Sequence, residues 1–329
     1  VKTFVFNPNP VFDHTSQIET LQPGSVIRTS NTNLTAGGKG INVARVLREF
    51  NCEHELLILV GETDESSYEE LLKVEEATYR LFSHAGRVRH ANILIEETNK
   101  RITVINEQGG YASETAWLKV NQYLSSNMSQ GDVLVVMGSL PADTAPDQLV
   151  PFINTAHQAG GYFFVDTAPT WVRGCLSASP DLVKPNFHEA LAITSGGSAT
   201  LMSDEPTSPQ KTATEAAEAL CQSGAQVSIV TAGADGAAMA TKEFNDWFNA
   251  PTVNLVSSVG AGDAFMGGLI VGFAASREES FARRIQRSIP LAIATAASSC
   301  ETELAGGATK HRSQELLTQM NSQQGTQGP

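Results

Sequence analysis

The run Val256-Ser257-Ser258-Val259-Gly260-Ala261-Gly262-Asp263 leads straight into an apolar helical stretch that begins Ala264-Phe265-Met266. Two glycines around one small residue at a helix start leave backbone N–H groups free. They also let an anion come close to the positive end of the helix dipole. Phosphoryl transfer needs such a hole. Asp263, in the first helical turn, would put a carboxylate where an attacking hydroxyl loses its proton. The same spacing also fits an ordinary glycine turn whose Asp caps the helix, and the motif by itself leaves both readings open.

Two further patterns are of the same kind. In Ala36-Gly37-Gly38-Lys39-Gly40-Ile41-Asn42 a glycine turn again opens a helix. Here backbone can approach a ligand closely, and Lys39 and Asn42 offer the directional hydrogen bonds that sugar hydroxyls take. In Lys184-Pro185-Asn186-Phe187-His188-Glu189 a strand end delivers Asn186 and Glu189 to one face of the next helix. Their oxygens suit a hydrated Mg²⁺, with a helix cap and a solvated Glu as the plainer alternative. Rival motifs fail at single positions: Phe265 stands where a dinucleotide fingerprint from Gly260 needs Gly, Gly40 where a Walker loop needs Ser or Thr, and Ala192 where a zinc-protease helix needs its second His. There is no Gly-x-Ser-x-Gly elbow.

Short β-branched and apolar runs must position these residues. They fall at Thr3 to Phe6, Glu55 to Val60, Val133 to Met137, Tyr162 to Val165 and Val227 to Thr231, between stretches of helical period. The predicted helices are 41–50, 68–79, 114–125, 147–158, 212–222, 264–275 and 280–299. The alternation gives a mostly parallel sheet between helical layers. It breaks at Gly24 to Leu34 and His90 to Asn106, read as a small antiparallel sheet projecting from the main body. Ser195 to Gln210 is read as a surface loop, and Asn321 to Pro329 as a disordered tail.

Composition narrows the function classes. The 329 residues, 41% hydrophobic and 17% charged, can bury a large core. A net charge of −13, from 22 basic against 35 acidic residues without a concentrated basic patch, argues against nucleic acid and anionic membrane as partners. The apolar stretch from Phe265 to Ala275 is too short and glycine-broken to span a bilayer. Val1 to Asp13 lacks the features of a secretory signal, so a cytoplasmic location is expected. Cys52, Cys175, Cys221 and Cys300 form no CxxC pair and read as reduced thiols.

The ordered set of motifs resembles the phosphofructokinase B branch of the ribokinase-like carbohydrate kinases along nearly the whole chain. The residues that carry it are Asn9-Pro10-Val11-Phe12-Asp13, Gly37 to Leu47 (GGKGINVARVL), Gly138-Ser139-Leu140-Pro141, Lys184-Pro185-Asn186 with Glu189, Thr231 to Gly236 (TAGADG) and Ser257 to Asp263 (SSVGAGD). Ser-Ser-Val before the Gly-Ala-Gly-Asp resembles 1-phosphofructokinases and tagatose-6-phosphate kinases more than ribokinase.

The resemblance implies a three-layer α/β/α ribokinase-like fold, with one kinase domain over 1–320 and a β-sheet lid from about 11–35 and 88–110. It implies Asp263 as catalytic base with Gly260, Ala261 and Gly262 as anion hole. It implies sugar binding by Asp13, Gly38, Lys39 and Asn42, and ATP binding by Lys184, Asn186, Thr231, Gly233, Gly236 and Ser258. Adenine would lie near the loop before Asp263 and the helix around Thr295 to Cys300, and Mg²⁺ would be organised through water by Asn186 and Glu189. Arg101, with Arg28 as second candidate, would grip a substrate phosphate. Asn99, Lys100 and Thr103 around Arg101 depart from the family pattern, as does Asp64-Glu65-Ser66-Ser67 after Gly61. The expected reaction is ATP-dependent conversion of fructose 1-phosphate to fructose 1,6-bisphosphate. Tagatose 6-phosphate or fructose 6-phosphate come next as acceptors, then a free sugar or nucleoside, then non-catalytic binding. A homodimer joined through the lid is also implied.

Overall fold

The computed structural model describes residues 1–195, 208–276 and 280–325. The chain opens with β1 (Thr3–Asn7), β2 (Val11–Ile18), β3 (Thr32–Gly37), α1 (Lys39–Glu49), β4 (His54–Gly61), α2 (Glu65–Val74), β5 (Tyr79–His84), β6 (Arg89–Glu96) and β7 (Ile102–Asn106). There follow α3 (Glu114–Asn127), β8 (Val133–Met137), α4 (Val150–Gln158), β9 (Tyr162–Asp166), α5 (Pro169–Cys175), β10 (Leu182–Val183) and α6 (Phe187–Ser195). The last part supplies α7 (Pro209–Gln222), β11 (Val227–Thr231), β12 (Gly236–Ala240), β13 (Asn245–Asn249), α8 (Ala261–Ala275), α9 (Phe281–Cys300) and α10 (Lys310–Gly325).

The main sheet runs β13-β12-β11-β10-β9-β8-β1-β4-β5, parallel from β11 to β5 and antiparallel at the β12 and β13 edge. Strand side chains alternate between its faces. Phe4 and Phe6 pack with Trp117 and Phe152 among α3 to α7, whereas Val5 joins the residues of α1, α2 and α8 to α10. Both faces are therefore dry, which explains why β1, β4 and β8 read as continuous apolar runs. The result is the expected three-layer α/β/α arrangement. α8 lies unusually close to its neighbours: a methyl on Gly267, Gly268 or Gly272 would stand 2.6–2.8 Å from Val46, Thr295 or Ser288.

The second sheet has the order β3-β2-β6-β7. It is antiparallel in its two outer pairs, as expected, and parallel between β2 and β6. Val11 pairs with Arg89 at its root and Ile18 with Glu96 at its far end. Of the expected 24–34 region only Thr32 to Leu34 is strand, in a β3 that runs on to Gly37, and residues 19–31 are largely exposed.

Three expectations need correction. The predicted helix 68–79 is two elements, because Glu76 takes a left-handed φ of 51° after α2 and Tyr79 starts β5, which pairs with β4. The disordered tail from Asn321 does not begin there. Leu316 and Met320 are buried against the core beside α9, and the helix they anchor carries on to Gly325. Of the loop expected at Ser195 to Gln210, Ser195 ends α6 and Pro209 starts α7, while 196–207 lie outside the described residues.

Phe6 is fully buried, with ring centroids 5.4 Å from Phe152 and 5.7 Å from Trp117. Phe6→Ala should cost about 3–5 kcal/mol in denaturant unfolding. Val74→Thr, at a position 82% exposed, should stay within about 0.5 kcal/mol of wild type.

Candidate active site

The glycine turn before α8 has the geometry of a helix start that an anion could approach. Gly260 is the N-cap with φ 78°, and a side chain there would strike Ala305 at 2.8 Å. The Ala261 N–H bonds to Ser258 O and the Ala264 N–H to Gly260 O. Asp263 does not cap its own helix. Its carboxylate is buried and accepts a 2.8 Å hydrogen bond from Asn42 Nδ2 on α1. Burial pushes its pKa up to about 6. Asp166 pushes the same way, while Lys39, the Asn42 hydrogen bond and Lys184 pull against them.

Asp166, at the end of β9, holds the cations. It binds Lys184 at 2.7 Å and Lys39 at 3.1 Å. Burial alone would raise its carboxyl, but Lys184 and then Lys39 keep it below the ordinary range. Lys39 is in turn raised, first by Asp166, then against burial by Asp263 and Glu189. Lys184 is 2% exposed, and its ammonium lies 3.5 Å from where a Gly262 side chain would begin. Sequence reasoning passed over Asp166. An acid at a strand end is common, and only its two lysine partners mark it.

Asn186 and Glu189 form a reciprocal cap on α6: each backbone N–H donates to the other's side-chain oxygen at 2.9 Å. Glu189 Oε1 keeps no hydrogen bond among the described residues. Among those residues no group of three or more His, Cys, Asp or Glu is gathered into a metal cage. A single carboxylate oxygen with water and substrate phosphates is nonetheless the kind of donor set that Mg²⁺ accepts.

Lys39, Asp166, Lys184, Asn186, Glu189 and Asp263 line one side of a polar cavity of about 640 Å³. Thr231, Gly233, Ala234, Ser258, Ala261 and Gly262 form a wall shared with a second cleft, of about 360 Å³. That cleft is apolar, faced by Val253, Leu255, Phe265, Ile293, Ala297 and Cys300, and could take a flat aromatic base. Gly236 lines it as well, where the tight turn after β11 enters β12. Thr295 does not reach it; its hydroxyl bonds to Leu291 O.

Asp13 lies in β2 near the root of the small sheet, its carboxylate against Gly37. Burial pushes it up to about 6, against Arg89 and Arg45. Asn9 is tied by Nδ2 to Ser139 Oγ and Leu140 O, which gives the Gly138 to Pro141 run its place. Gly38 caps α1 beneath Lys39. Arg101 is not here. It binds Glu96 with two hydrogen bonds of 2.9 and 3.0 Å at the far end of β6, roughly 20 Å of strand from Arg89. Arg28 lies in the exposed segment between β2 and β3, with no hydrogen bond or ion pair among the described residues. The arginine beside Asp13 is Arg89, anchored to Asn9 O, Glu107 O and Asn106 Oδ1. The β2–β6 register reveals it. In the sequence it is one of several arginines in or beside the small sheet.

The profile of the pfkB family carbohydrate kinases matches residues 8–312. The chain belongs to that family. A 1-phosphofructokinase of Xanthomonas campestris pv. campestris is 32% identical over 265 residues, covering 79% of this chain and 80% of the relative. In fold, the tetrameric inhibited form of phosphofructokinase-2 from Escherichia coli superposes with a TM-score of 0.84 at 21% identity, over 98% of this chain and 99% of the other. Ribokinase from Thermotoga maritima follows with a TM-score of 0.70 at 18% identity, over 97% and 99%. This pfkB protein is thus a sugar kinase with a ribokinase-like fold and ATP as co-substrate, and its relatives support a phosphorylated sugar as acceptor. No helix among the described residues is long and apolar enough to cross a membrane, and the four cysteines are free thiols.

The raised pKa of Asp263 carries a stability cost. Ordinary ionisation near 3.8 in the unfolded chain against about 6 in the folded one means the folded state binds the proton more tightly. The penalty is absent below about pH 4, grows through pH 4 to 6 and is complete above that. Asp263→Asn should therefore be more stable than wild type at pH 7.5, by up to about 3 kcal/mol, with the difference gone near pH 4. Denaturant unfolding at several pH values reads it directly.

Proposed function

We propose that this kinase transfers the γ-phosphoryl group of ATP to the free primary hydroxyl of fructose 1-phosphate, giving fructose 1,6-bisphosphate. The observation that carries the reading is the buried Asp263 carboxylate, set across a glycine turn from two lysines in a polar cavity that opens on an apolar cleft. Asp263 takes the hydroxyl proton as the oxygen attacks phosphorus. The N–H groups at the start of α8 and the Lys39 ammonium hold charge on the phosphoryl oxygens. Base and ribose occupy the apolar cleft and the Thr231 to Gly236 turn. Asn186 and Glu189 would hold Mg²⁺ through water, and that ion would supply neutralisation of the phosphate charge. Asp13, Gly38 and Asn42 bind sugar hydroxyls. Arg89, in place of Arg101, attracts the acceptor's own phosphate by its charge and the one Nη2 N–H that its backbone and Asn106 partners leave over.

The test is ADP release with Mg²⁺ and ATP across fructose 1-phosphate, fructose 6-phosphate, tagatose 6-phosphate, fructose, ribose and adenosine. Wild type should prefer fructose 1-phosphate. Asp263→Asn should lose about 10²–10⁴ in kcat with KM nearly kept, and Arg89→Leu should raise KM for the phosphorylated acceptor at least tenfold while sparing any activity on free fructose. Preference for a free sugar overturns the substrate reading, and near-normal turnover of Asp263→Asn overturns the base.

The small sheet also suits pairing with a second copy. Ile93 and Ile95 on β6 stand opposite Val104 and Ile102 on β7, on the face that carries Asp13, with Val104 45% exposed. We propose that two such faces cover one another. Sedimentation at micromolar concentration should show a dimer, and Val104→Asp should shift it to monomer with a raised KM for the sugar phosphate. A monomeric wild type would sink this arrangement.

A further inference from the structure

Asp263 receives its side-chain hydrogen bond from Asn42, and the amide that gives it is itself held. Asn42 Oδ1 accepts from Arg45 Nη1 at 2.9 Å, one turn along α1. Arg45 is 9% exposed, and each of its three nitrogens has a partner. Nε and Nη2 reach the two carboxylate oxygens of Glu75 at 2.8 and 2.5 Å. Nη2 also donates to Ala36 O at 3.3 Å, and Nη1 to Ala305 O at 3.1 Å.

A primary amide has two ends of nearly equal size and opposite polarity, so its neighbours decide which way it points. A guanidinium only donates. Asn42 must therefore turn its oxygen to Arg45 and its NH₂ to Asp263. An N–H aimed at a carboxylate favours the ionised form, whereas a carbonyl oxygen in that place would favour the protonated one. The charged groups that face Asp263 are Lys39 from α1, Asp166 from the end of β9 and Lys184 from the segment after β10. Arg45 works through the amide.

We infer that Arg45 is a positioning residue for the kinase's base: by fixing the orientation of the Asn42 amide, it keeps Asp263 in the proton-accepting form. The inference rests on the role proposed for Asp263. The guanidinium also joins three parts of the site, since Ala36 lies at the root of the small sheet and Ala305 is the residue that Gly260 packs against.

The experiment measures kcat/KM between pH 5 and 8.5 with fructose 1-phosphate, or the acceptor that the panel selects, for wild type, R45K, R45M, N42A and the N42A/R45M pair. Ionisation of the substrates is common to all variants and cancels in the comparison. Freed of the guanidinium, the amide can turn its oxygen to Asp263, and R45M should move the acid limb upward by about one to two pH units, the worth of one hydrogen bond to a charged group. R45K, still a pure donor, should keep the limb within about half a unit. On the N42A background R45M should shift it no further.

If Arg45 only supports the fold, R45M will lower the rate evenly across pH with the limb in place, and the inference fails. Should R45M not fold because Glu75 is left without its partner, R45M/E75Q removes both charges and carries the same comparison. Asp263→Asn, run alongside, separates the two failures. Retained turnover in that variant overturns the base itself, whereas its inactivity with an unmoved limb in R45M overturns the role of Arg45 alone.

Discussion

The site depends on one buried carboxylate placed between two ammonium groups. Burying Asp166 by itself would be costly, and so would burying Lys184; together with Lys39 they compensate one another across 2.7 and 3.1 Å. Asp166 ends β9, Lys184 follows β10 and Lys39 opens α1. The three charges therefore fix the geometry of elements that the apolar core brings only roughly together. They do so at the carboxyl ends of parallel strands, where open α/β sheets place their ligands. The two lysines of this trio also keep Asp263 from rising further, against its burial and against Asp166.

What the sequence made legible is what local chemistry specifies. A glycine turn running into an apolar helix is a local device, and the SSVGAGD run ends at a helix start capped by Gly260 with Asp263 in its first turn. The central strands were legible because burial on both faces leaves them almost wholly apolar. Edge strands were not. Tyr79 to His84 carries Arg80 and His84, and Asn245 to Asn249 is polar and half-exposed, so neither shows the pattern of a buried strand. Asp166 and Arg45 escaped because their partners lie up to 260 residues away in the chain.

The misplaced arginine has the same origin. Which arginine of the small sheet stands near Asp13 is settled by direction and register. β2 and β6 both run outward from the body, so the first residue of β6 stands at the root and the turn after its last stands at the tip. Arg89 and Arg101 lie at opposite ends of one strand and its turn. Composition cannot tell them apart, whereas one strand pairing does. Asn186 and Glu189 show the converse: their spacing allowed a metal pair or a helix cap, and the structure shows each serving the other as a cap.

The glycines of α8 divide the molecule mechanically. With Val46, Thr295 and Ser288 against its backbone, this helix has no room to slide or roll. The glycine turn and Asp263 ride on this tightly packed helix. The small sheet, by contrast, meets the body at its root and leaves Ile102, Val104 and Ile105 exposed along its outer strand β7. Any hinge between the small sheet and the body must sit in the connections from β1 to β2, β3 to α1, β5 to β6 and β7 to α3. The chemistry then works as an anvil that stays still while the hammer travels.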